Sequence, residues 1–172
     1  DEVFAFSNFS GINSQLNVLK YEKAILTNVL SKTFGLPGIR VGWVISRNSS
    51  LTKSIRHLKT YNSICQSQLD EQVACFVMQK ADSIIKQNNA IIRNNLELFG
   101  SFIAKTDSLS WHQPKAGLLG LVHSREPIKP ILSSWLENDV LALPGEVFGI
   151  EGNYFRVGFG KKDFYEALSI IC

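Results

Sequence analysis

Ser31-Lys32-Thr33-Phe34-Gly35-Leu36-Pro37-Gly38-Ile39-Arg40-Val41-Gly42-Trp43 is the stretch on which the fold turns. Taken singly, its parts have plain meanings: a loop lysine is ordinarily a solvated cation, and Gly-Leu-Pro-Gly is ordinarily a turn. Their order already excludes one nucleotide-binding reading. A P-loop places its Lys and Ser/Thr after the glycines, whereas here they come before. On either side lie short, nearly continuous apolar runs, Ala24-Ile25-Leu26-Thr27 and Val41-Gly42-Trp43-Val44-Ile45. Such runs are expected as strands covered on both faces of an α/β sheet, and Phe4-Ala5-Phe6 reads as a third.

Downstream, the apolar period lengthens from strand to helix. Helical spacing runs from Leu51 to about Thr60 and again, as one long element, from Ser67 to about Lys105. Leu69, Val73, Phe76 and Val77 share a face there, and Ile84, Ile85, Ile91, Ile92, Leu96 and Leu98 continue it, with Asp82 as a cap for the later portion. After Asp107 the pattern becomes α+β. Leu109 to Trp111, Leu118 to Val122, Val140 to Leu143 and Tyr154 to Gly158 read as strands. Pro127 to about Glu137 and Asp163 to Cys172 read as helices. The expected organisation is therefore residues 1–50 ending one sheet domain, 51–106 as a helical connector and 107–172 as a small α+β domain. Asp1 in place of Met, and a final helix without a cap, read as the ends of a piece of a longer protein.

Composition narrows the function classes. In 172 residues, 45% are hydrophobic and 19% charged, enough apolar material for a packed core. The net charge of +3 is scattered. Its one basic cluster, Lys53, Arg56, His57 and Lys59, reads as a solvated helix face and not as a nucleic-acid stripe. Cys65, Cys75 and Cys172 form no CxxC pair, and His57, His112 and His123 are scattered. Neither a disulfide framework nor a metal site is expected. With no apolar run of membrane-spanning length and no signal pattern, a cytoplasmic protein without membrane contacts is the expectation.

The thirteen residues from Ser31 to Trp43 together resemble the lysine signature of the class I/II aminotransferases, the fold type I enzymes that depend on pyridoxal 5'-phosphate. The resemblance implies an α/β fold: the end of the large parallel-sheet domain, a long connecting helix and a small α+β domain. It implies that Lys32 is the Schiff base lysine, whose amine also shuttles a proton at the substrate, since a deprotonated amine is both nucleophile and base. It implies that Arg40, eight positions on, and Ser31 hold the cofactor phosphate, a task that suits a planar guanidinium fork. Where the family often has a Ser three residues before the lysine, this sequence has Val29.

Two further motifs lie in the family's order. Asp1-Glu2-Val3-Phe4 is similar to its Asp-x-x-Tyr strand end, where the aspartate pairs with the pyridine nitrogen and keeps it protonated. Leu143-Pro144-Gly145-Glu146-Val147-Phe148-Gly149 and Arg156-Val157-Gly158-Phe159 are similar to its PG-x-x-FG and R-x-GF pattern, which implies that Arg156 binds the substrate α-carboxylate. Pro114-Lys115-Ala116-Gly117 is similar to a stretch that borders the substrate. The partners implied are an amino acid, a 2-oxo acid and, in the full-length protein, a second copy of the chain.

Several reactions share this platform. Transamination is the main expectation, with a lyase or cyclase as the alternative. Lys59-Thr60-Tyr61-Asn62-Ser63-Ile64-Cys65 lacks the arginine of dicarboxylate-specific members and is more similar to the branch that contains capreomycidine synthase. Two other readings stay open. The chain is a catalytically silent interaction fragment, or it belongs to a regulator that would need an upstream DNA-binding domain. Phe4, at the position that usually carries Tyr, lacks the hydroxyl that would contact the cofactor's phenolic oxygen. A Phe4→Tyr variant of the cofactor-loaded protein is accordingly expected to titrate its visible Schiff-base band at lower pH than the parent. Superimposable titration curves would remove this role from position 4.

Overall fold

A computed structural model describes residues 1–9 and 20–171; Cys172 lies outside them. The chain divides into two compact units, Asp1–Gln87 and Asn88–Cys172.

In the first unit, β1 (Leu26–Val29) pairs antiparallel with β2 (Gly42–Ile45), in the register Leu26 to Ile45 and Val29 to Gly42. The strand read at Ala24 to Thr27 sits two residues later, and β1 and β2 form a two-stranded antiparallel sheet. The connection explains the direction: it holds the lysine loop and a single 3-10 turn, Pro37–Ile39, whereas a parallel pair needs a longer crossover, usually a helix. Leu26 and Asn28 on one face of β1 are buried while Thr27 between them is exposed, and Val44 and Ile45 on β2 are exposed, so the expected cover on both faces is not found in either strand.

Phe4-Ala5-Phe6 is a turn and not a strand. Ala5 N–H donates to the Glu2 carbonyl at 3.0 Å and Ser7 N–H to that of Phe4 at 2.9 Å. Aromatic β-propensity misleads there because local turn bonds compete with the ladder.

Helix α1 (Ser49–Asn62) starts at Asn48, whose side-chain oxygen accepts from Leu51 N–H at 3.0 Å. Its cationic face, Lys53, Arg56, His57 and Lys59, is exposed. The single helix expected from Ser67 to Lys105 is two: α2 (Gln68–Gln79) and α3 (Ala81–Ile103), broken at Lys80. Neither Gly nor Pro marks the break. Lys80 N–H bonds to the Val77 carbonyl three residues back, and the new helix begins at once. Asp82 therefore lies inside the first turn of α3 and is not its cap. The break lets Val73, Ala74 and Val77 of α2 and Ala81, Ile84 and Ile85 of α3 pack on one core around Leu30 and Phe34. Leu69 and Phe76, read as part of that face, are 74% and 56% exposed.

In the second unit a four-stranded antiparallel sheet has the order β3-β4-β6-β5: β3 (Leu109–Trp111), β4 (Leu119–Ser124), β5 (Leu143–Pro144) and β6 (Tyr154–Gly158). The strand expected over Val140 to Leu143 shrinks to the pair Leu143–Pro144. Asp139, in the left-handed region at φ 61°, turns the chain before it. Helix α4 (Ile128–Glu137) has Pro127 as its cap residue, and α5 (Phe164–Ile171) closes the described chain.

Strand alternation buries Val122 and Phe155, and the Trp135 ring stands edge-on to Phe155 at 5.3 Å. Phe99 of α3 is the hub of the remaining core, with the rings of Trp111, Phe159 and Phe164 at 5.0, 5.6 and 6.2 Å.

Gly42 is fixed by space: a Cβ there would lie 2.8 Å from the Asn28 carbonyl oxygen and 2.8 Å from Val29 Cγ1. Gly42→Ala is expected to destabilise the chain by about 1–3 kcal/mol through forced separation of β1 and β2. A denaturant midpoint unchanged from wild type would show that the pair yields without cost.

Candidate functional site

The lysine loop is built by burying the residues beside Lys32. Leu30, Thr33 and Phe34 are buried, while Lys32 itself is exposed. Two backbone bonds close the loop at its base, Leu30 N–H to the Val41 carbonyl and Leu36 N–H to the Leu30 carbonyl, each 3.0 Å. Gly35, at φ 72°, takes the left-handed step that lets its N–H reach back to the Lys32 carbonyl at 2.9 Å. The rings of Phe6 and Trp43 stand edge-on to Phe34 at 6.2 and 6.3 Å and anchor it from two segments.

The loop meets the amino-terminal motif directly. Thr33 Oγ1 donates to the Val3 carbonyl at 2.8 Å and accepts from the buried Ser7 hydroxyl at 3.3 Å. Glu2 N–H donates to the Thr27 carbonyl at 2.8 Å, and Asn28 Nδ2 donates to the Glu2 carbonyl at 3.0 Å. The Thr27 hydroxyl donates to Asp1 Oδ1 at 3.2 Å. Asp1 thus lies beside β1, the strand that leads into Lys32, and Phe4 sits half-buried in the adjoining turn.

Arg40 is exposed and strained. Its φ of 46° and ψ of 35° put it in the left-handed region, at a cost of about 1–3 kcal/mol for a residue with a Cβ. The guanidinium donates to the Pro37 carbonyl at 3.0 Å, and Gln66 Nε2 donates to the Arg40 carbonyl at 3.3 Å. Ser31, half-buried, and Arg40 each adjoin the bonded pair Leu30–Val41. Five of the residues singled out by sequence, Asp1, Phe4, Ser31, Lys32 and Arg40, therefore fall within one unit on three hydrogen-bonded segments.

Arg156 lies in the second unit, in the middle of β6, facing away from the buried side that Phe155 occupies. Leu121 of β4 and Leu143 of β5 are its cross-strand partners, so its flanks on that face are apolar. The preceding Pro144-Gly145 and Phe148-Gly149 shape a single 3-10 turn, Gly145–Phe148. Ile150 N–H reaches the Gly145 carbonyl at 3.0 Å and Gly149 N–H that of Glu146 at 3.1 Å, the paired closure of a Schellman turn. Gly149, at φ 72°, permits it. Gly145 is required for closeness: a Cβ there would meet the Ile150 and Tyr154 carbonyl oxygens at 3.0 and 3.1 Å. After Arg156, the buried Asn95 of α3 holds the chain by donating to the Phe159 and Lys161 carbonyls at 3.0 and 2.7 Å. Neither Thr33 nor Asn95 was assigned a role from sequence. Thr33 carried a signal, its place between Lys32 and Phe34; Asn95 carried none beyond being polar on an apolar helix face.

Thr33→Val keeps the side chain's shape but leaves the Val3 carbonyl without its donor. It is expected to cost about 1–3 kcal/mol of stability, read as a drop in the denaturant midpoint. A variant as stable as its parent would mean that the two motifs are not coupled through this bond.

Several known proteins are similar to this chain. Capreomycidine synthase of Streptomyces vinaceus is 26% identical over 80% of this chain and 36% of its own length. The crystal structure of a PLP-dependent aminotransferase from Streptococcus suis 89-1591 superposes with a TM-score of 0.87 at 29% identity, covering 99% of this chain and 46% of that one. The PLP-dependent cyclase OrfR gives a TM-score of 0.74 at 30% identity, covering 83% and 40%. The chain therefore spans less than half the length of each, and has the mixed α/β fold of PLP-dependent aminotransferases over the part it covers. The sequence profile of the family described as aminotransferase class I and II matches residues 2–168, and the chain belongs to that family, whose cofactor is pyridoxal 5'-phosphate.

Proposed function

We propose that the protein containing this chain is a pyridoxal-phosphate-dependent aminotransferase that moves an amino group between an amino acid and a 2-oxo acid, with Lys32 as the covalent anchor. The observation that carries the reading is the lysine loop: an exposed amine on a turn whose neighbours Leu30, Thr33 and Phe34 are buried. The donor set fits the cofactor. Lys32 offers an amine, Ser31 a hydroxyl and Arg40 a guanidinium to a phosphate, and Asp1 a carboxylate to a ring nitrogen. When bound, pyridoxal phosphate supplies an aldehyde for amines to condense with and a ring that accepts the electron pair released at the substrate's Cα.

The chain's own residues do the rest. Lys32 Nζ holds the cofactor and, once displaced, takes and returns the proton at the substrate's Cα. The Asp1 carboxylate holds a positive charge at the ring nitrogen. Arg40 and Ser31 fix the phosphate end, and Arg156 fixes the substrate through its α-carboxylate. In the full-length protein a second copy completes the assembly, a reading supported by the exposed apolar residues Leu58, Tyr61, Ile64, Leu69 and Phe76 of the first unit.

A second reading has its own support, since one similar protein of known structure is a PLP-dependent cyclase, OrfR. An intramolecular ring closure would use the same lysine, and the two readings separate on whether an added 2-oxo acid is consumed.

The test uses the full-length protein with pyridoxal phosphate. Borohydride reduction followed by peptide mass spectrometry is expected to place the label on Lys32. Lys32→Ala is expected to lower turnover at least 10²–10⁴-fold, the range for loss of a positioned acid–base group. Arg40→Ala is expected to weaken cofactor binding about 10- to 100-fold, the worth of a charged hydrogen bond. A label at another lysine would end the assignment.

A further inference from the structure

Arg156 is stacked on a ring. Its guanidinium carbon lies 4.2 Å from the centroid of Phe148. Phe148 is 41% exposed, so burial accounts poorly for a large aromatic at that position. The chain nevertheless fixes it firmly. The turn Gly145–Phe148 is closed by two backbone bonds from Gly149 and Ile150. Its first residue leaves no room for a Cβ against Tyr154, two positions before Arg156 on β6. The turn that carries the ring is therefore packed onto the strand that carries the arginine.

We infer that Phe148 is a positioning residue for substrate recognition: it holds the Arg156 guanidinium by one face and leaves the in-plane N–H donors to an incoming carboxylate. The inference rests on the reading of Arg156 as the α-carboxylate anchor. All five N–H donors of a guanidinium lie in its plane, so a ring against the face obstructs none of them. Stacking removes water from that face and limits rotation about the side chain's last bonds. A carboxylate then meets a preorganised fork instead of one it must order on binding. Leu121 and Leu143, the cross-strand partners of Arg156 on the same face, leave the charge few polar neighbours and strengthen its pull on an anion.

The experiment compares two amines in the full-length, cofactor-loaded protein by calorimetric titration. One probe is 2-aminoisobutyrate, which has a carboxylate but no Cα hydrogen to lose; the other is isopropylamine, the same skeleton without the carboxylate. Phe148→Leu is expected to weaken 2-aminoisobutyrate about 2- to 30-fold, the range of a cation–π contact, and to leave isopropylamine unchanged. Phe148→Tyr and Phe148→Trp are expected to restore binding to within about threefold, because each keeps a ring face. Thermal melting of all variants checks that the turn is intact, and the aromatic pair carries the test if Phe148→Leu does not fold. Arg156→Gln is the control for the underlying reading and is expected to abolish the preference for 2-aminoisobutyrate. If Arg156→Gln abolishes it while Phe148→Leu binds like wild type, the platform role is overturned and the anchor stands. If Arg156→Gln keeps the preference, the anchor itself falls and the platform falls with it.

Discussion

Burial on both sides of one exposed amine is the constraint on which the first unit depends. Leu30 and Thr33–Phe34 are pulled inward, Lys32 between them is turned outward, and the chain has little freedom to exchange them. Exposing Leu30 and Phe34 together would cost several kcal/mol of lost apolar burial, far more than a solvated lysine gains by any rearrangement. The core that receives them is supplied by two helices, α2 and α3, which meet it only because the chain breaks at Lys80. Remote packing thus sets the direction of one amine.

The strain in this unit sits where the loop must turn back into β2. Arg40 adopts a left-handed conformation that glycine would take at little cost, yet an arginine stands there. Residues held this way persist where their surroundings over-determine them, and such positions cluster at sites of binding. The surroundings are visible: the Pro37 and Arg40 carbonyls are engaged by the Arg40 guanidinium and Gln66, and Val41 is bonded to Leu30. Ile64, at φ 50° and 80% exposed, is a second case, and more costly because it is β-branched. It follows the C-terminus of α1 at the place where helices commonly end on glycine. It also lies in the Lys59–Cys65 segment.

The motifs were legible because their information is local. A lysine, glycines at fixed offsets, a proline and an arginine within thirteen residues specify a turn without reference to the rest of the chain. β6 and β3 were legible for a similar reason: alternation with bulky residues states both a strand and its buried face. What stayed hidden depended on backbone bonds and packing that composition does not record. Phe4 to Phe6 has the composition of a strand, but the turn wins through bonds from Ala5 and Ser7 that no propensity scale contains. The Lys80 break has no Gly or Pro signal, because its cause is the geometry of a core assembled from residues 30–85. The direction of β1 against β2 follows from the length and content of the connection, not from the strands themselves. The short β5 reflects a left-handed Asp139 that only a folded chain reveals.

The two arginines show how the same fold prepares one chemical group in different ways. Arg40 is fixed through its backbone, at an energetic cost, and its side chain folds back on its own loop. Arg156 sits in an unstrained strand and is constrained through its side chain, by a ring on one face and leucines on either flank. A group that holds one end of a resident cofactor can be locked by its main chain, since it need not respond to anything. A group that must admit and release a small acid cannot be locked that way without slowing release. Stacking is the lighter constraint, because a cation–π contact is worth only about 0.5–2 kcal/mol, enough to bias orientation and too little to compete with a carboxylate. In the proposed assignment, backbone strain falls on the partner of the cofactor and side-chain stacking on the partner of the substrate, and the PG-x-x-FG glycines close the turn that carries the stacking ring.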